Sequence, residues 1–482
     1  MASLNPPIEE KAELTPGRVA QIWRAHLMSL LIPSAALAYV WSGPHPWYIA
    51  PLFIVPFAIF QWIDVRPRYE MRQPVEPLPE APFDALVYAL TGIHFLILLG
   101  LVVLFSHQQV FSIDMVMIFV IVGGNSGFSI ITAHELIHRK NKIDQTLGRL
   151  LLCTVLYEHF YTEHLRGHHV RVGTAADPAT ARFGERFEAF FRRTVPGQFK
   201  SAWRIESRRL GDESMRLWDR RMLQHRCLQG LVVEWSLVLA VGLIFGPVAC
   251  LAYVFQAFMA VRLLEAVNYF EHWGLVRTGR RVRPADSWDT HSWFTYYGLI
   301  GLSRHADHHA YPSRPYQQLR VWEEAPVLPI GYVGLVDLVL TRNDEFIAMA
   351  TKELKAKRLG PFAEEAPADS TEEDGPVESA TGGEGAGAPS GRWTGSPSVW
   401  ARRVFVGLAI LGFSALGVAW ESGGSVSVPL AFGHNVLILS IFGFVLWARS
   451  RMEQMVNNGW ISWGFGLALL VVVGWMSTPW TT

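Results

Sequence analysis

The chain is poor in cysteine. It has only three among 482 residues, Cys153, Cys227 and Cys250, and no two of them form a C-x-x-C pair. This spacing excludes a disulfide scaffold, a zinc ribbon and a built-in iron–sulfur or single-iron cysteine centre. If the protein handles electrons, we expect them to arrive from another chain.

A net charge is also lacking, because Lys and Arg together number 42, as do Asp and Glu. This balance gives no reason to expect a nucleic-acid partner. Half of the residues are hydrophobic, and they gather in runs long enough to cross a bilayer, for which about 20 residues are needed. No cleavage-like site follows the first run, so we expect a retained helix rather than a signal peptide.

The apolar runs predict an all-α integral membrane protein with six spans and then about three additional C-terminal spans. The expected spans are 25–42, 46–63, 84–106, 109–133, 229–246 and 248–268, followed by 404–421, 429–448 and 459–477. Basic residues cluster after the second span and between the fourth and fifth spans. Since cytoplasmic loops are enriched in Lys and Arg, we expect a cytoplasmic N-terminus.

The stretch between the two sets of spans has a different composition. From Glu364 to Glu384 it carries eight acidic residues and no basic ones. Such a stretch buries too little apolar surface to fold by itself. We therefore predict a six-span unit at 1–360, an acidic disordered linker at 361–398 and a three-span membrane extension at 399–482.

Nine of the 17 histidines fall into four short motifs. The motifs are His134-Glu135-Leu136-Ile137-His138, Glu163-His164-Leu165-Arg166-Gly167-His168-His169, Asn268-Tyr269-Phe270-Glu271-His272-Trp273-Gly274-Leu275 and Arg304-His305-Ala306-Asp307-His308-His309. On a helix, residues four apart share a face, so His164 and His168 are expected to reach one metal. His169 then points about 100° away, towards a second metal. All four motifs fall on the predicted cytoplasmic side, where one site can gather them.

The histidines also admit other interpretations. The first motif alone fits the zincin pattern H-E-x-x-H, with Glu135 as general base, but a zincin leaves six histidines unexplained. A membrane metal transporter would need ionisable residues through the bilayer, and few occur in the predicted spans. Nine imidazoles exceed a tetrahedral zinc site and suit two metals with four or five ligands each. Imidazole binds iron, copper, nickel and zinc, so the ligand type leaves the metal open.

Several residues near the motifs are expected to support the ligands. The carboxylates of Glu135, Glu163, Glu271 and Asp307 are predicted to accept the second ring N–H of a ligand histidine, although some of them could simply face water. His159 is interpreted as a supporting residue rather than a ligand. The scattered histidines are interpreted as membrane-interface residues: His26, His45, His94, His107, His225, His291 and His434.

The ordered set of four motifs resembles that of the membrane-bound alkane 1-monooxygenase family, which is related to the membrane fatty-acid desaturases and xylene monooxygenase. The stretch from Asp177-Pro178 to Glu185 is similar as well, and the resemblance covers residues 20–350. The chain departs from the family pattern at Ser303, where the pattern has Gln. Residues 361–482 have no counterpart in that pattern.

The resemblance implies a six-helix transmembrane bundle with a cytoplasmic helical cap and two non-haem iron ions. It assigns metal ligation to His134, His138, His164, His168, His169, His272, His305, His308 and His309. The implied reaction is hydroxylation of terminal C–H bonds of medium- to long-chain alkanes with O2. Electrons would come from a rubredoxin-type protein with an NAD(P)H-dependent reductase, at the cytoplasmic side of a bacterial inner membrane. The same iron site also suits a desaturase, a decarboxylase or an aromatic-methyl hydroxylase.

Overall fold

The structure, a computed structural model, describes residues 15–74 and 78–363. Within them the chain is mainly helical. The α-helices are α1 (Pro16–His26), α2 (Leu31–Ser42), α3 (Val55–Val65), α4 (Glu80–Ser106), α5 (Ile113–Met117), α6 (Ile121–His138), α7 (Lys142–Thr154), α8 (Phe160–Glu163), α9 (His169–Arg171), α10 (Phe187–Arg209), α11 (Arg226–Phe245), α12 (Pro247–His272), α13 (Trp293–Gly298), α14 (His305–Ala310), α15 (Tyr332–Thr341) and α16 (Asn343–Lys357). Two short parallel strands, β1 (Asp289–Thr290) and β2 (Val327–Leu328), pair within the segment between α12 and α16. This segment is called the cap below.

Five helical stretches of the described chain are long and apolar enough to cross a membrane. They are Pro16–Ser42, Glu80–Ser106, Ile113–His138, Arg226–Phe245 and Pro247–His272. The last two of these stretches, which are α11 and α12, present large apolar side chains outward; Leu243 on α11, for example, is 77% exposed. An apolar surface of this kind is typical of a lipid-facing helix. The structure thus matches five of the six spans that were predicted for this part of the chain.

The predicted second span, 46–63, differs from the expectation. It forms the shorter apolar helix Ala50–Val65, whose first turn is 3-10. Pro44 and Pro46 precede this helix and Pro51 lies in its first turn. Because proline lacks a backbone N–H and restricts the preceding residue, helical structure cannot extend to the predicted start of the span.

Contacts at the two ends of Ala50–Val65 show where it runs. Its first turn packs beside α5, close to Asp114, whose Oδ1 lies 2.8 Å from Nδ1 of His45. At its other end, Asp64 accepts a hydrogen bond of 2.6 Å from the hydroxyl of Ser292, in the segment between the third and fourth histidine motifs. The helix therefore connects the far end of the bundle with the end that carries the histidines.

The cap closes tightly over the end of the bundle that carries the histidines. The backbone N–H of Gly331 donates to the carbonyl of Asp64 at 2.9 Å, and a Cβ at Gly331 would collide with the Asp64 carboxylate. Beneath the cap lies a buried aromatic core that includes Tyr269, Trp273 and Trp288. This packing holds the segments that bear the histidines against one another. The predicted linker beyond residue 363 and the predicted extension 399–482 lie outside the described residues.

Candidate metal centre

The histidines of the four motifs converge into two groups. The first group contains His134, His138, His164, His169 and His308, and the second contains His168, His272, His305 and His309. Within each group, one ring nitrogen of every residue lies within 4.8 Å of those of all the others. In residues 15–74 and 78–363 no other His, Cys, Asp and Glu residues form such a group. The structure therefore brings together all nine predicted ligands.

Helix spacing explains how α6 and α14 contribute. His134 and His138, four residues apart on one face of α6, enter the first group together. His305 and His309, four apart on α14, enter the second group, while His308 between them points to the first. One short helix thus supplies ligands to both groups, because adjacent residues on a helix project about 100° apart.

The second motif behaves differently from the prediction. Residues His164–His168 form a π-helical turn, in which the backbone N–H of His169 donates to the carbonyl of His164. This wider turn puts His164 and His169 in the first group and leaves His168 in the second. The predicted pairing of His164 with His168 on one metal is therefore wrong, since it assumed α-helical spacing. π-Helical turns of this kind are frequent at functional sites.

The spacing of the ring nitrogens fits metal ligation. Nε2 of His164 lies 3.0 Å from Nε2 of both His138 and His169. In the second group, Nε2 of His272 and Nε2 of His305 are 3.1 Å apart. Two imidazole nitrogens at right angles around one cation, each about 2.1 Å from it, would be about 3.0 Å apart. The nitrogens are thus spaced as neighbouring ligands of a common ion.

Two further features support this fit. Nε2 of His134 and Nε2 of His168 are buried without a hydrogen-bond partner, although buried polar atoms are normally paired. Burial, reinforced by the neighbouring histidines, keeps the pKa of His164, His169 and His308 well below the usual value. These imidazoles are consequently neutral, and metal binding requires the neutral form.

The two groups differ in access. The second group is buried throughout, whereas His134, His138 and His169 of the first group are only partly buried. A small cleft reaches the first group at His134 and His308. Its other lining residues are mainly apolar: Ile131, Glu135, Ile300, Leu302, Tyr316 and Leu319. The surroundings of the first group on this side are therefore mainly apolar.

The supporting contact predicted for the motif carboxylates is made by a residue that the prediction did not include. Oδ2 of Asp177 lies 2.8 Å from Nδ1 of His168 and accepts a 2.7 Å hydrogen bond from Thr180. Burial raises the pKa of Asp177, but the His168 imidazole and these hydrogen bonds outweigh it and hold the pKa below its usual value. The carboxylate fixes the His168 tautomer, so that Nε2 faces the second group. The only sequence signal was the Asp177-Pro178 pair within the family-like stretch.

The predicted carboxylates have other partners. Glu271 is the nearest to a ligand, with Oε2 3.3 Å from Nε2 of His305, and its Oε1 accepts a 2.7 Å hydrogen bond from Tyr332. The other three form ion pairs with arginines: Glu135 with Arg139, Glu163 with Arg171, and Asp307 with Arg314. Their direct partners are thus cations rather than imidazole N–H groups, and they balance charge around the centre.

The remaining histidines occupy varied positions. The ring of His159 lies outside both groups and packs edge-on against Tyr157 and Phe199. The interface interpretation is wrong for four of the scattered residues, because His26, His45, His94 and His225 are buried. His26, with 0% exposure, is surrounded by the rings of Phe83, Tyr296, Tyr297 and Tyr316. His434 lies outside the described residues.

Comparison with known proteins connects this geometry to a family. Residues 113–333 match the family model described as fatty acid desaturase. Alkane 1-monooxygenase of Acinetobacter baylyi is 38% identical over 239 residues, which are 48% of this chain and 58% of that protein. Alkane 1-monooxygenase 1 of Pseudomonas aeruginosa is 39% identical over 217 residues, 44% of this chain and 56% of that protein. The xylene/toluene monooxygenase hydroxylase component of Pseudomonas putida is 25% identical over 202 residues, 42% of this chain and 54% of that protein.

The chain spans less than two thirds of the length of each of these relatives. The matched segment nevertheless contains all four histidine motifs, because it begins before His134 and ends after His309. The comparisons confirm the resemblance seen in the motifs. Residues 113–333 are therefore similar to the fatty acid desaturase family, and about half of the chain resembles the membrane-bound alkane 1-monooxygenases.

Proposed function

We propose that the protein is a membrane-bound non-haem di-iron monooxygenase that hydroxylates terminal C–H bonds of medium- to long-chain alkanes with O2. The observation that carries this proposal is the arrangement of nine imidazoles in one group of five and one group of four. Two groups of this size suit two metal ions with open positions for another ligand. The names of the relatives support incorporation of oxygen into alkanes rather than zinc-dependent hydrolysis.

The parts of the chain have distinct tasks in this reaction. Two iron ions, when bound, would supply the reduction of O2 and the oxidation of an unactivated C–H bond. The first group would hold one ion and the second group the other, with Asp177 orienting His168 through its Nδ1–H. The apolar cleft at His134 and His308 would position the alkyl chain and exclude water. Exclusion of water protects reactive intermediates from side reactions.

The proposed enzyme crosses the inner membrane six times within residues 1–360, with its N-terminus and metal centre in the cytoplasm. The sixth crossing is Ala50–Val65, whose contacts lie at both ends of the bundle. Its mixed 3-10 and α-helical rise gives a length of about 26 Å, slightly below the hydrocarbon thickness of about 30 Å. Local thinning of the bilayer accommodates a difference of this size. Arg66, Arg68 and Arg72 follow this helix at the end that carries the metal centre, as the enrichment of cytoplasmic loops in basic residues requires.

A separate electron donor follows from the cysteine content. Cys153 and Cys227 are buried and Cys250 is half-buried, and their spacing suits no iron–sulfur or rubredoxin centre. We therefore propose a rubredoxin-type donor served by an NAD(P)H-dependent reductase. The donor would deliver electrons at the first imidazole group, where His138 and His169 are only partly buried.

Hydroxylation of an aromatic methyl group is the second candidate function. It is favoured by the similarity to the xylene/toluene monooxygenase component, which extends over 42% of this chain. The two reactions share the metal centre and the electron supply and differ only in substrate shape. A desaturase or a decarboxylase would use the same centre but would release products without a new hydroxyl group.

The test is anaerobic purification with metal analysis, followed by turnover of octane, hexadecane and p-xylene with rubredoxin, its reductase, NADH and ¹⁸O2. The proposal expects about two iron ions per chain, one for each imidazole group. It also expects 1-alkanols that carry one ¹⁸O atom. Faster oxidation of p-xylene would favour the second candidate. Alkene products, or full activity with zinc in place of iron, would contradict the proposal.

A further inference from the structure

A short loop beside the metal centre has an unusually high density of arginine. Arg277, Arg280, Arg281 and Arg283 lie within seven consecutive residues that contain no acidic residue. Arg280, Arg281 and Arg283 are exposed, and Arg277 is half-buried. This segment, 277–283, is called the arginine loop below. It begins five residues after His272, a member of the second imidazole group.

Arg277 fixes the arginine loop to the segment that follows the second histidine motif. Its backbone N–H donates to the carbonyl of Gly173 at 2.8 Å, and its guanidinium donates to the carbonyl of Val170 at 3.0 Å. Val170 is 61% exposed and directly follows His169. The positive charge of the loop is therefore held at the surface immediately outside the metal centre.

Little negative charge balances the loop within the described part of the chain. The carboxylate of Asp286, which follows the loop, is buried and accepts a 2.8 Å hydrogen bond from the backbone N–H of Arg283. In residues 15–74 and 78–363, no ion pair joins Arg280 or Arg281 to a carboxylate. The neighbouring end of α16 is basic as well, with Lys355 and Lys357 in its last turn. Uncompensated charge at this density creates a surface suited to an acidic partner.

The described chain ends beside this surface. Gly360 approaches Gly274 so closely that a Cβ at position 360 would collide with the carbonyl oxygen of Gly274. The ring of Phe362 packs edge-on against Phe183, with ring centroids 5.5 Å apart. Gly274 is only three residues from Arg277, so the chain leaves residue 363 next to the start of the arginine loop. The next residues carry the highest acidic density in the sequence.

We propose that the arginine loop is the docking site of the acidic segment 364–384 of the same chain. This segment supplies eight carboxylates and no cation, whereas the loop supplies four guanidinium groups. The nine steps along the chain from Ala363 to Glu372 extend up to about 30 Å, and the six steps from Gly274 to Arg280 up to about 20 Å. The acidic residues therefore reach the whole loop. Covalent connection over so short a distance corresponds to an effective concentration in the millimolar range, at which a purely electrostatic contact is populated.

The contact is tested in the full-length protein by disulfide trapping. Cysteines replace Thr278 in the loop and Thr371 in the segment, positions that leave every charge of both partners intact. The native Cys153 and Cys227 are buried, and the half-buried Cys250 is replaced by alanine, so that no native thiol competes. Mild oxidation in detergent at low salt is expected to give a 278–371 disulfide, identified by mass spectrometry of the linked peptides. Salt at 0.5 M should lower its yield several-fold, because the Debye length falls well below about 10 Å.

Charge reversal separates docking from mere proximity. Arg280→Glu with Arg281→Glu should lower the yield several-fold at low salt, and adding Glu372→Lys with Glu373→Lys should restore it. The matched control is Arg192→Glu with Arg204→Glu, two exposed arginines on α10, which should leave the yield unchanged. The metal content of each variant is measured to verify folding, since none of these residues belongs to the imidazole groups.

Two outcomes would overturn the proposal. One is a disulfide yield that responds neither to salt nor to reversal of the loop charges. The other is a low yield throughout, combined with loss of protein binding to phosphatidylglycerol vesicles in the loop variant alone. That second result would assign the arginine loop to anionic lipid headgroups instead of the acidic segment.

Discussion

At the scale of single residues, His308 offers the most direct test of the first imidazole group. Its Nε2 lies 3.1 Å from Nε2 of His169, so His308→Ala removes one of five converging nitrogens. We expect a loss of bound iron and of alkane hydroxylation, measured as iron per chain and octane turnover. His107→Ala is the matched control, because His107 is exposed at the other end of α4. Equal iron content in the His308 variant and the parent would refute the assignment.

Asp177 provides a second test, which separates support of a ligand from ligation itself. Asp177→Asn keeps an oxygen that can accept the Nδ1–H of His168 but removes the negative charge. Loss of such a supporting carboxylate typically lowers metal affinity by about 10–100-fold. We expect this variant to bind both irons at saturation and to lose one of them to a chelator faster than the parent. The half-buried carboxylate of Asp212, which accepts a hydrogen bond from Ser214 outside both imidazole groups, is a suitable control, as Asp212→Asn should show parental chelation kinetics.

The nine histidines were predictable from sequence because their local spacing encodes the chemistry. The partners of the carboxylates were not, since they depend on how distant segments meet. Asp307, for example, accepts a 2.7 Å hydrogen bond from the indole N–H of Trp322, 15 residues away. Similarly, the burial of His26 depends on aromatic rings from α4 and α13 and from the turn that follows α14. A pattern read along one helix contains no information about such neighbours.

At the scale of elements, the π-helical turn His164–His168 decides which histidine joins which group. Inserting an alanine after Arg166, an exposed residue of this turn, should put His164 and His169 six residues apart and rotate them away from one another. We expect the insertion variant to lose at least one iron per chain. Arg166→Ala is the control: it changes the side chain at this position and removes its ion pair with Glu206 but keeps the residue count. It should retain the parental iron content, and equal iron loss in both variants would show that the spacing of the two histidines is not the cause.

Secondary structure was predicted best where the length of an apolar run determines the helix. It was predicted worst where prolines or an extra residue in a turn alter the backbone. Five long apolar helices appear where the sequence predicted them. The second predicted span is shorter because three prolines lie at or before its start. The π-helical turn was missed because α-helical spacing is the default for any helical segment, and an added residue in a turn leaves no mark in the hydrophobic pattern.

At the scale of the whole molecule, the acidic segment would compete for the arginine loop with an electron donor that docks through acidic side chains. This expectation rests on both the proposed donor and the proposed docking contact. Replacing Glu372, Glu373 and Asp374 by Gln, Gln and Asn should therefore lower the KM for rubredoxin several-fold at low salt. The difference should vanish at high salt, where screening weakens both contacts. An unchanged or higher KM at low salt would exclude competition.

The proposed orientation places the two ends of the bundle on opposite sides of the membrane. Gln109 lies between α4 and α5 and is exposed, and Thr278 is exposed in the arginine loop near the metal centre. Single cysteines at these positions, in a Cys250→Ala background, can be labelled in intact spheroplasts with a membrane-impermeant maleimide. We expect labelling of the Gln109→Cys variant in intact spheroplasts and of the Thr278→Cys variant only after permeabilisation. The reverse pattern would invert the orientation. Labelling of both variants in intact spheroplasts would instead mean that the chain makes an even number of crossings between residues 109 and 278, which contradicts the three crossings by α6, α11 and α12.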